Sequence, residues 1–279
     1  MSFKERLRSR SLINKGSNKK ALIVGINYGG TSSELSGCIA DAEKVEKLLF
    51  EYGYTDIMLM KDNVKNSDPT YPSIENIRKK IKELISRAGA NDQIFFYYSG
   101  HGSYVRDKDG DELDGKDEVI CPADFEQNGF ITDDELVRTL ANPLRSTNKF
   151  RAVFDSCHSG TVVDTRYNLI YQPKSKSLQL QKNDNYGLIS CESLILSGCL
   201  DTQVSLEIKL PNGTPGGVLT HFFCQYYQQN SSVSEKLREK SAGNLLTYVS
   251  KQCINGKFAQ KPVLSLGQKS QVYRCTFLE

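Results

Sequence analysis

Two short stretches put reactive side chains where an apolar run stops. In FRAVFDSCHSG (150–160), Val153-Phe154 gives way to Asp155, Ser156, Cys157, His158, Ser159 and Gly160. In DQIFFYYSGHG (92–102), a longer apolar run ends in Gly100, His101 and Gly102. Cysteine attacks as its thiolate, so a nucleophilic thiol needs a base or a cation beside it. The chain has three histidines. His158 is adjacent to Cys157, and neighbours along an extended segment point to opposite sides. His221 falls inside VLTHFFCQYYQQ, where a partly buried helix histidine is the plainer reading. His101 lies between glycines that let the backbone bend and turn the ring toward a pocket. The residues therefore favour a Cys157–His101 dyad, with the N–H groups of Cys157 and Gly102 as donors to an oxyanion. A phosphatase loop of the form Cys-x5-Arg is excluded, because Val163 stands six residues after Cys157.

The elements needed to position this pair are legible as alternating periods. KKALIVGINY (19–28), TDIMLMKD, DQIFFYYSGHG and KFRAVFDSC read as strands. CIADAEKVEKLLFEYGY (38–54) carries Ile39, Ala42, Val45, Leu48 and Leu49 at helical spacing and stops at Gly53. SIENIRKKIKELISRAG (73–89) opens on a Ser73 cap, with Ile74, Ile77, Ile81, Leu84 and Ile85 as one stripe. DDELVRTLAN (133–142) is a short helix with an acidic start. This order predicts an α/β/α sandwich with a mostly parallel sheet. In such sheets, function gathers beyond the carboxyl ends of the strands, where both reactive stretches fall. Residues 164–186 are polar and unpatterned and read as an exposed linker. Beyond them come a strand in SLILSGC, a helix in VLTHFFCQYYQQ, a longer helix over SEKLREKSAGNLLTYVSKQC (234–253), and end strands in KPVLSL and QVYRCTF.

Composition sets the bounds. The chain has 279 residues, 38% hydrophobic and 25% charged, as expected of one globular domain of upper-middle size. A net charge of +3 is too small to imply a nucleic-acid partner. Basic residues crowd residues 1–18, which read as a mobile arm. No run of eighteen apolar residues predicts a membrane span, and no leader pattern is visible. The eight cysteines lie mostly in apolar runs without a C-x-x-C pair, so free thiols, a reducing, cytoplasmic setting and no structural zinc site are expected.

The two reactive stretches, FFYYSGHGS and AVFDSCHSG, resemble the catalytic blocks of the metacaspases, caspase-like cysteine peptidases. The resemblance runs from about Lys19 to the C-terminus. It includes ALIVGINY, LSGCIADA, DGKDEVICPADF, ITDDEL and LILSGCLDTQVS. It implies a caspase/haemoglobinase fold with Cys157 as nucleophile and His101 as general base and acid. It also implies one peptidase domain over 19–279, divided into a large-subunit-like region (19–164), a linker (165–186) and a small-subunit-like region (187–279). True caspases carry Gln-Ala-Cys-x-Gly around the nucleophile, whereas Asp155 precedes Cys157 by two here. An acid beside the nucleophile favours a cation and repels an acidic side chain. Asp41 matches the family's second acidic pocket residue, and Cys38 and Ser156 complete the substrate-binding set. Cleavage after Arg or Lys is the expectation. Without the resemblance, Asp41 reads equally well as a helix-start acid complementing the dipole.

An EF-hand reading of DKDGDELDGKDE (107–118) fails, because Glu112 occupies the position that needs glycine. The resemblance points instead to Asp117, Asp133, Asp134 and Asp164 as ligands of Ca²⁺. Taken separately, Asp133 and Asp134 could be helix N-terminal acids and Asp164 a loop residue. Arg166, Lys174, Lys176 and Lys182 in the linker, and Lys19 and Lys20 near the start, are candidate self-processing points. The expected partners are protein or peptide substrates with a basic residue before the cut. A monomer is expected. The alternatives are a non-catalytic caspase-like interaction module and a peptidase of the same fold with another residue preference.

Overall fold

Periodic apolar patterning becomes layered structure in the computed structural model, which describes residues 18–106, 116–156, 165–182, 189–198, 207–209, 213, 215–229, 241–268 and 271–279. The first half runs β1 (Lys19–Gly25), α1 (Cys38–Glu51), β2 (Asp56–Lys61), α2 (Ile74–Ser86), β3 (Gln93–Ser99), β4 (Gly102–Arg106) and β5 (Lys116–Ile120). Next come α3 (Phe125–Asn128), β6 (Ile131–Thr132), α4 (Asp133–Leu136) with a wider π turn over Val137–Ala141, and β7 (Lys149–Asp155). The second half holds β8 (Tyr167–Gln172), β9 (Ser177–Lys182), β10 (Glu192–Ser197), β11 (Glu207–Lys209), β12 (Pro215–Gly217), α5 (Val218–Gln229), α6 (Ala242–Asn255) and β13 (Val263–Leu266).

Eight strands form one sheet in the order β2-β1-β3-β7-β10-β13-β8-β9. The first five are parallel and the last three antiparallel. Successive residues of each parallel strand feed opposite faces. Ala21, Ile23, Phe95, Tyr97 and Val153 pack under α1, α5 and α6, while Leu22, Val24, Ile94, Phe96 and Ala152 pack under α2 and α4. Each Leu, Ile, Val or Phe among them, withdrawn from water, contributes roughly 1.5–3 kcal/mol. Gly25 lets α1 lie on β1, since a Cβ there would come within 2.6 Å of Ala42 Cβ. Ser73 caps α2 by accepting the Asn76 N–H, and Gly53, at φ +87°, follows the end of α1. The α/β/α sandwich and mostly parallel sheet are as the sequence predicts. No helix of the described residues is long and apolar enough to cross a membrane.

Four expectations are corrected. The linker over 165–186 contains the β8–β9 hairpin, which extends the sheet by pairing β8 with β13. Its outward residues are polar because β9 is the last strand, while Leu178 and Leu180 pack on the core. The helix expected over 234–253 is not continuous: α6 begins at Ala242, where Ser241 is extended and its hydroxyl accepts the Asn244 N–H, and residues 234–240 lie outside the described residues. QVYRCTF is a run of turns, not a strand. Carbonyls at and just past its end are taken by side chains from the central strands: Thr276 O by Arg151 Nε, Phe277 O by Gln93 Nε2 and Leu278 O by Lys19 Nζ. Finally, Lys19 and Lys20 lie in β1, between β2 and β3, with Lys20 bonded to Asp92 at 2.7 Å. A bond laddered on both sides is not a cleavage point of the folded chain. The basic arm over 1–17 lies outside the described residues.

Candidate active site

β3 and β7 are neighbours, and their ends are in register, Ser99 opposite Asp155. His101 therefore stands two residues past one strand end, and Cys157 is two residues past the matching end in sequence. Cys157 lies outside the described residues, as do His158 and Asp164. The backbone of His101 is tied down. Its N–H donates to Tyr28 Oη at 2.9 Å, and its carbonyl accepts from the Cys121 N–H at 3.1 Å and from Tyr98 Oη at 2.7 Å. Its ring Nε2 lies 2.7 Å from the Ser33 carbonyl oxygen. A carbonyl only accepts, so Nε2 carries a hydrogen toward it, which leaves Nδ1 as the ring nitrogen not engaged by this contact.

The Cys121-to-His101 bond fixes the phase of the β4–β5 ladder. Hydrogen-bonded and non-hydrogen-bonded pairs alternate, so the next pair, Gly102 with Ile120, is non-hydrogen-bonded. Gly102 N–H consequently faces the open side of β4, the outer strand of the β4-β5-β6 sheet.

The two acids assigned to substrate binding do meet, but not in an open hollow. Asp41 is fully buried and Asp155 is buried. Asp41 Oδ2 accepts the Gly217 N–H, and its Oδ1 accepts Lys44 Nζ at 2.9 Å. Asp155 Oδ2 accepts both the N–H and the hydroxyl of Thr220, at 2.9 and 2.8 Å, so it caps the start of α5 from another strand. Gly217 sits between them, and a Cβ there would come within 2.1 Å of Asp155 Oδ2. Burial first, and then the Asp155 charge, pushes the Asp41 carboxyl up to about 6. Cys38, at the start of α1, and Ser156 are buried beside this region. His221 is partly buried on α5, and burial followed by the Lys44 charge holds its ring below the usual imidazole range. It takes no part in the strand-end cluster.

The acids assigned to a metal lie at the far end of the small sheet. Val119 pairs with Thr132, which brings Asp117 and Glu118 alongside Asp133 and Asp134. Asp117 and Asp133 are buried. Asp133 Oδ2 accepts the Glu118 N–H at 3.2 Å, and Oδ1 accepts the Asp134 N–H at 2.8 Å. Among the described residues no three His, Cys, Asp or Glu side chains close around one point. A donor set of carboxylates alone, two of them buried, is of the chemistry that suits a hard cation. Residues 107–115 lie outside the described residues, and the strands β4 and β5 flank them, in keeping with rejection of an EF-hand.

Lys174 and Lys176 are exposed in the turn between β8 and β9, Lys182 is exposed at the end of β9, and Arg166 is partly buried before β8. Sequence reasoning missed Tyr28, Ser33, Lys44, Gly217 and Thr220. Each acts on a site residue through folding contacts, and only the glycine-rich surroundings of Tyr28 and Gly217 hint at unusual backbone.

A mostly parallel sheet covered by helices on both faces, with β3 and β7 ending in register, defines a protein of the caspase-like fold. A family model described as "Metacaspase, peptidase C14 domain" matches residues 19–166. Metacaspase-1A of Aspergillus terreus is 40% identical over 193 residues, covering 68% of this chain and 48% of that protein. Metacaspase-1 of Meyerozyma guilliermondii is 31% identical over 299 residues, covering 91% and 70%. The chain spans about half the length of most of these curated relatives. In fold, it is similar to a crystal structure of a Geobacter sulfurreducens protein, with a TM-score of 0.65, 24% identity, and coverage of 94% of this chain and 100% of that one. The chain belongs to the metacaspase family.

Proposed function

We propose that this chain is a cysteine endopeptidase that cuts after Arg or Lys. The observation that carries the reading is the register of β3 with β7, together with the His101 ring fixed through Nε2. His101 Nδ1 takes the proton of the Cys157 thiol, and the sulfur attacks the carbonyl carbon ahead of the cut. The N–H groups of Cys157 and Gly102 receive the oxyanion. The imidazolium then protonates the leaving amine. In the second half, water gives its proton to the same nitrogen, attacks the thioester, and the thiol is regenerated.

The preference for a basic side chain is supported by Asp41 and Asp155. A carboxyl held at about 6 by burial and a neighbouring acid is relieved by an approaching cation. Both acids are covered by Gly217 and the start of α5, so β12 must yield for a side chain to reach them. Asp117, Asp133, Asp134 and Asp164 would hold Ca²⁺, which supplies charge neutralisation among these acids. Self-processing fits Lys174 and Lys176, whose turn is exposed. A monomer fits the sheet, because the hairpin occupies the ladder of β13.

The test is hydrolysis of fluorogenic peptides ending in Arg, Lys or Asp, with calcium or with chelator, by wild type, Cys157→Ala and His101→Ala. Arg and Lys peptides should be cut only with calcium, and both variants should lose about 10³-fold or more. Faster cleavage after Asp refutes the pocket, and indifference to chelator refutes the switch.

A further inference from the structure

Directly behind His101 lies a buried polar network that the reaction chemistry does not itself use. Because Gly102 pairs with Ile120, His101 and Cys121 face each other across the same ladder. Such a pair normally exchanges two direct bonds. Here the Cys121 N–H donates directly to His101 C=O, at 3.1 Å. The return bond runs through a side chain. His101 N–H donates to Tyr28 Oη at 2.9 Å, and that hydroxyl donates to Cys121 C=O at 2.6 Å. Tyr98 Oη, 3.0 Å from Tyr28 Oη, donates to His101 C=O at 2.7 Å and accepts the Cys121 N–H at 3.2 Å. Both tyrosines are buried.

Three further observations show a built arrangement. Tyr28 stands at φ +52°, a region disfavoured for a bulky aromatic residue, so the fold holds it there against its preference. A Cβ on Gly100 would come within 2.7 Å of Tyr98 Oη and 2.8 Å of Tyr28 Oη, so that position must be bare for both hydroxyls to enter. The Tyr28 ring lies 4.8 Å from the imidazole, and the same loop supplies the Ser33 carbonyl that holds Nε2.

We propose that Tyr28, seconded by Tyr98, is a positioning residue for His101: its hydroxyl occupies one rung of the β4–β5 ladder, holds that rung open, and so sets where the imidazole stands relative to Cys157. The inference rests on the reading of His101 as the base. Proton transfer needs heavy atoms about 2.6–3.2 Å apart, and a displacement of about 1 Å costs on the order of 10²-fold. Tyr28→Phe keeps the ring and removes the wedge. The rung then closes directly, drawing His101 toward Cys121, or strands the His101 N–H while Tyr98 Oη, 3.0 Å from Cys121 C=O, serves that acceptor.

The experiment compares wild type, Tyr28→Phe, Tyr98→Phe and His101→Ala. It measures kcat and KM on an Arg peptide, thermal midpoint, and the pH profile of iodoacetamide alkylation at Cys157, with Cys157→Ala as the blank for the other thiols. Tyr28→Phe is expected to lower kcat about 10- to 100-fold with KM within about twofold. It should also move the alkylation midpoint up toward an ordinary thiol, near 8.5. Tyr98→Phe should do the same to a smaller extent. A folded Tyr28→Phe with kcat within about twofold of wild type, a loss confined to KM, or an unmoved alkylation profile overturns the proposal. Should Tyr28→Phe not fold, Tyr98→Phe decides it by the same profile. Full activity of His101→Ala would instead overturn the base reading itself.

Discussion

The two ends of the central sheet bury their carboxylates in opposite ways. At the amino ends, Asp92 is buried against Lys20 Nζ at 2.7 Å and also accepts the N–H groups of Gly89 and Asn18. Burial pushes its carboxyl up, but these partners more than offset it and hold it below the usual range. Glu192 behaves alike: burial raises it and the Arg151 guanidinium outweighs that. At the carboxyl ends, Asp41 faces another acid, and Lys44 reaches it from a partly exposed position. Its carboxyl is pushed up to about 6. One edge sets its acids against cations, and the other sets an acid against a second acid.

The largest expected effect lies at the amino edge. Arg151 is fully buried and serves Glu192 and the carbonyls of Phe150, Glu192 and Thr276. Arg151→Ala should lose about 3–5 kcal/mol in urea unfolding, as broken buried pairs do. A loss below about 1 kcal/mol would remove the contrast. At the other edge, Asp41→Asn should gain roughly 1–3 kcal/mol at pH 7. The sign follows from the raised value. In the folded state Asp41 keeps its proton up to about 6, against 3.8 when exposed, so its contribution worsens as pH rises through that window and then stays constant. Stability curves of wild type and variant should converge below pH 3.8 and part by pH 6, while Arg-peptide cleavage by the variant falls. Equal curves would show that the acid is not under strain.

Asp92→Asn sharpens the comparison with the opposite slope. Asp92 stabilises above the ordinary carboxylate range, about 3.9, and that contribution is lost as pH falls through its lower folded value. The variant should cost about 1–2 kcal/mol at pH 7 and nothing in strong acid, read from thermal midpoints against pH. Smallest is Lys44→Gln, whose half-screened pair is worth under about 1 kcal/mol. A larger loss would mean that Lys44, and not an incoming substrate, is the partner the acids were built for.

Much of the architecture was legible because burial on both faces leaves a continuous apolar run, as in Gln93–Ser99, and burial on one face leaves a stripe, as in Ile74–Ser86. The β8–β9 hairpin was not, because an outermost strand shows the core only alternate residues, and Leu178 and Leu180 are a short signal among Gln and Lys. QVYRCTF misled for the opposite reason. Its composition suits a strand, but donors far away in sequence take its carbonyls. At the site, residue type exposed His101, Asp41 and Asp155. Tyr28 and Thr220 act across separations of 73 and 65 residues, which no local pattern records.

The bond from Lys19 to Leu278 spans 259 residues. A ribosome adding about 5–20 residues per second must therefore run for roughly 10–50 seconds after making the first strand before that lysine can find its acceptor. During that interval the nascent amino edge lacks this contact, so the lysine end of β1 is closed only once the segment carrying Leu278 has been made.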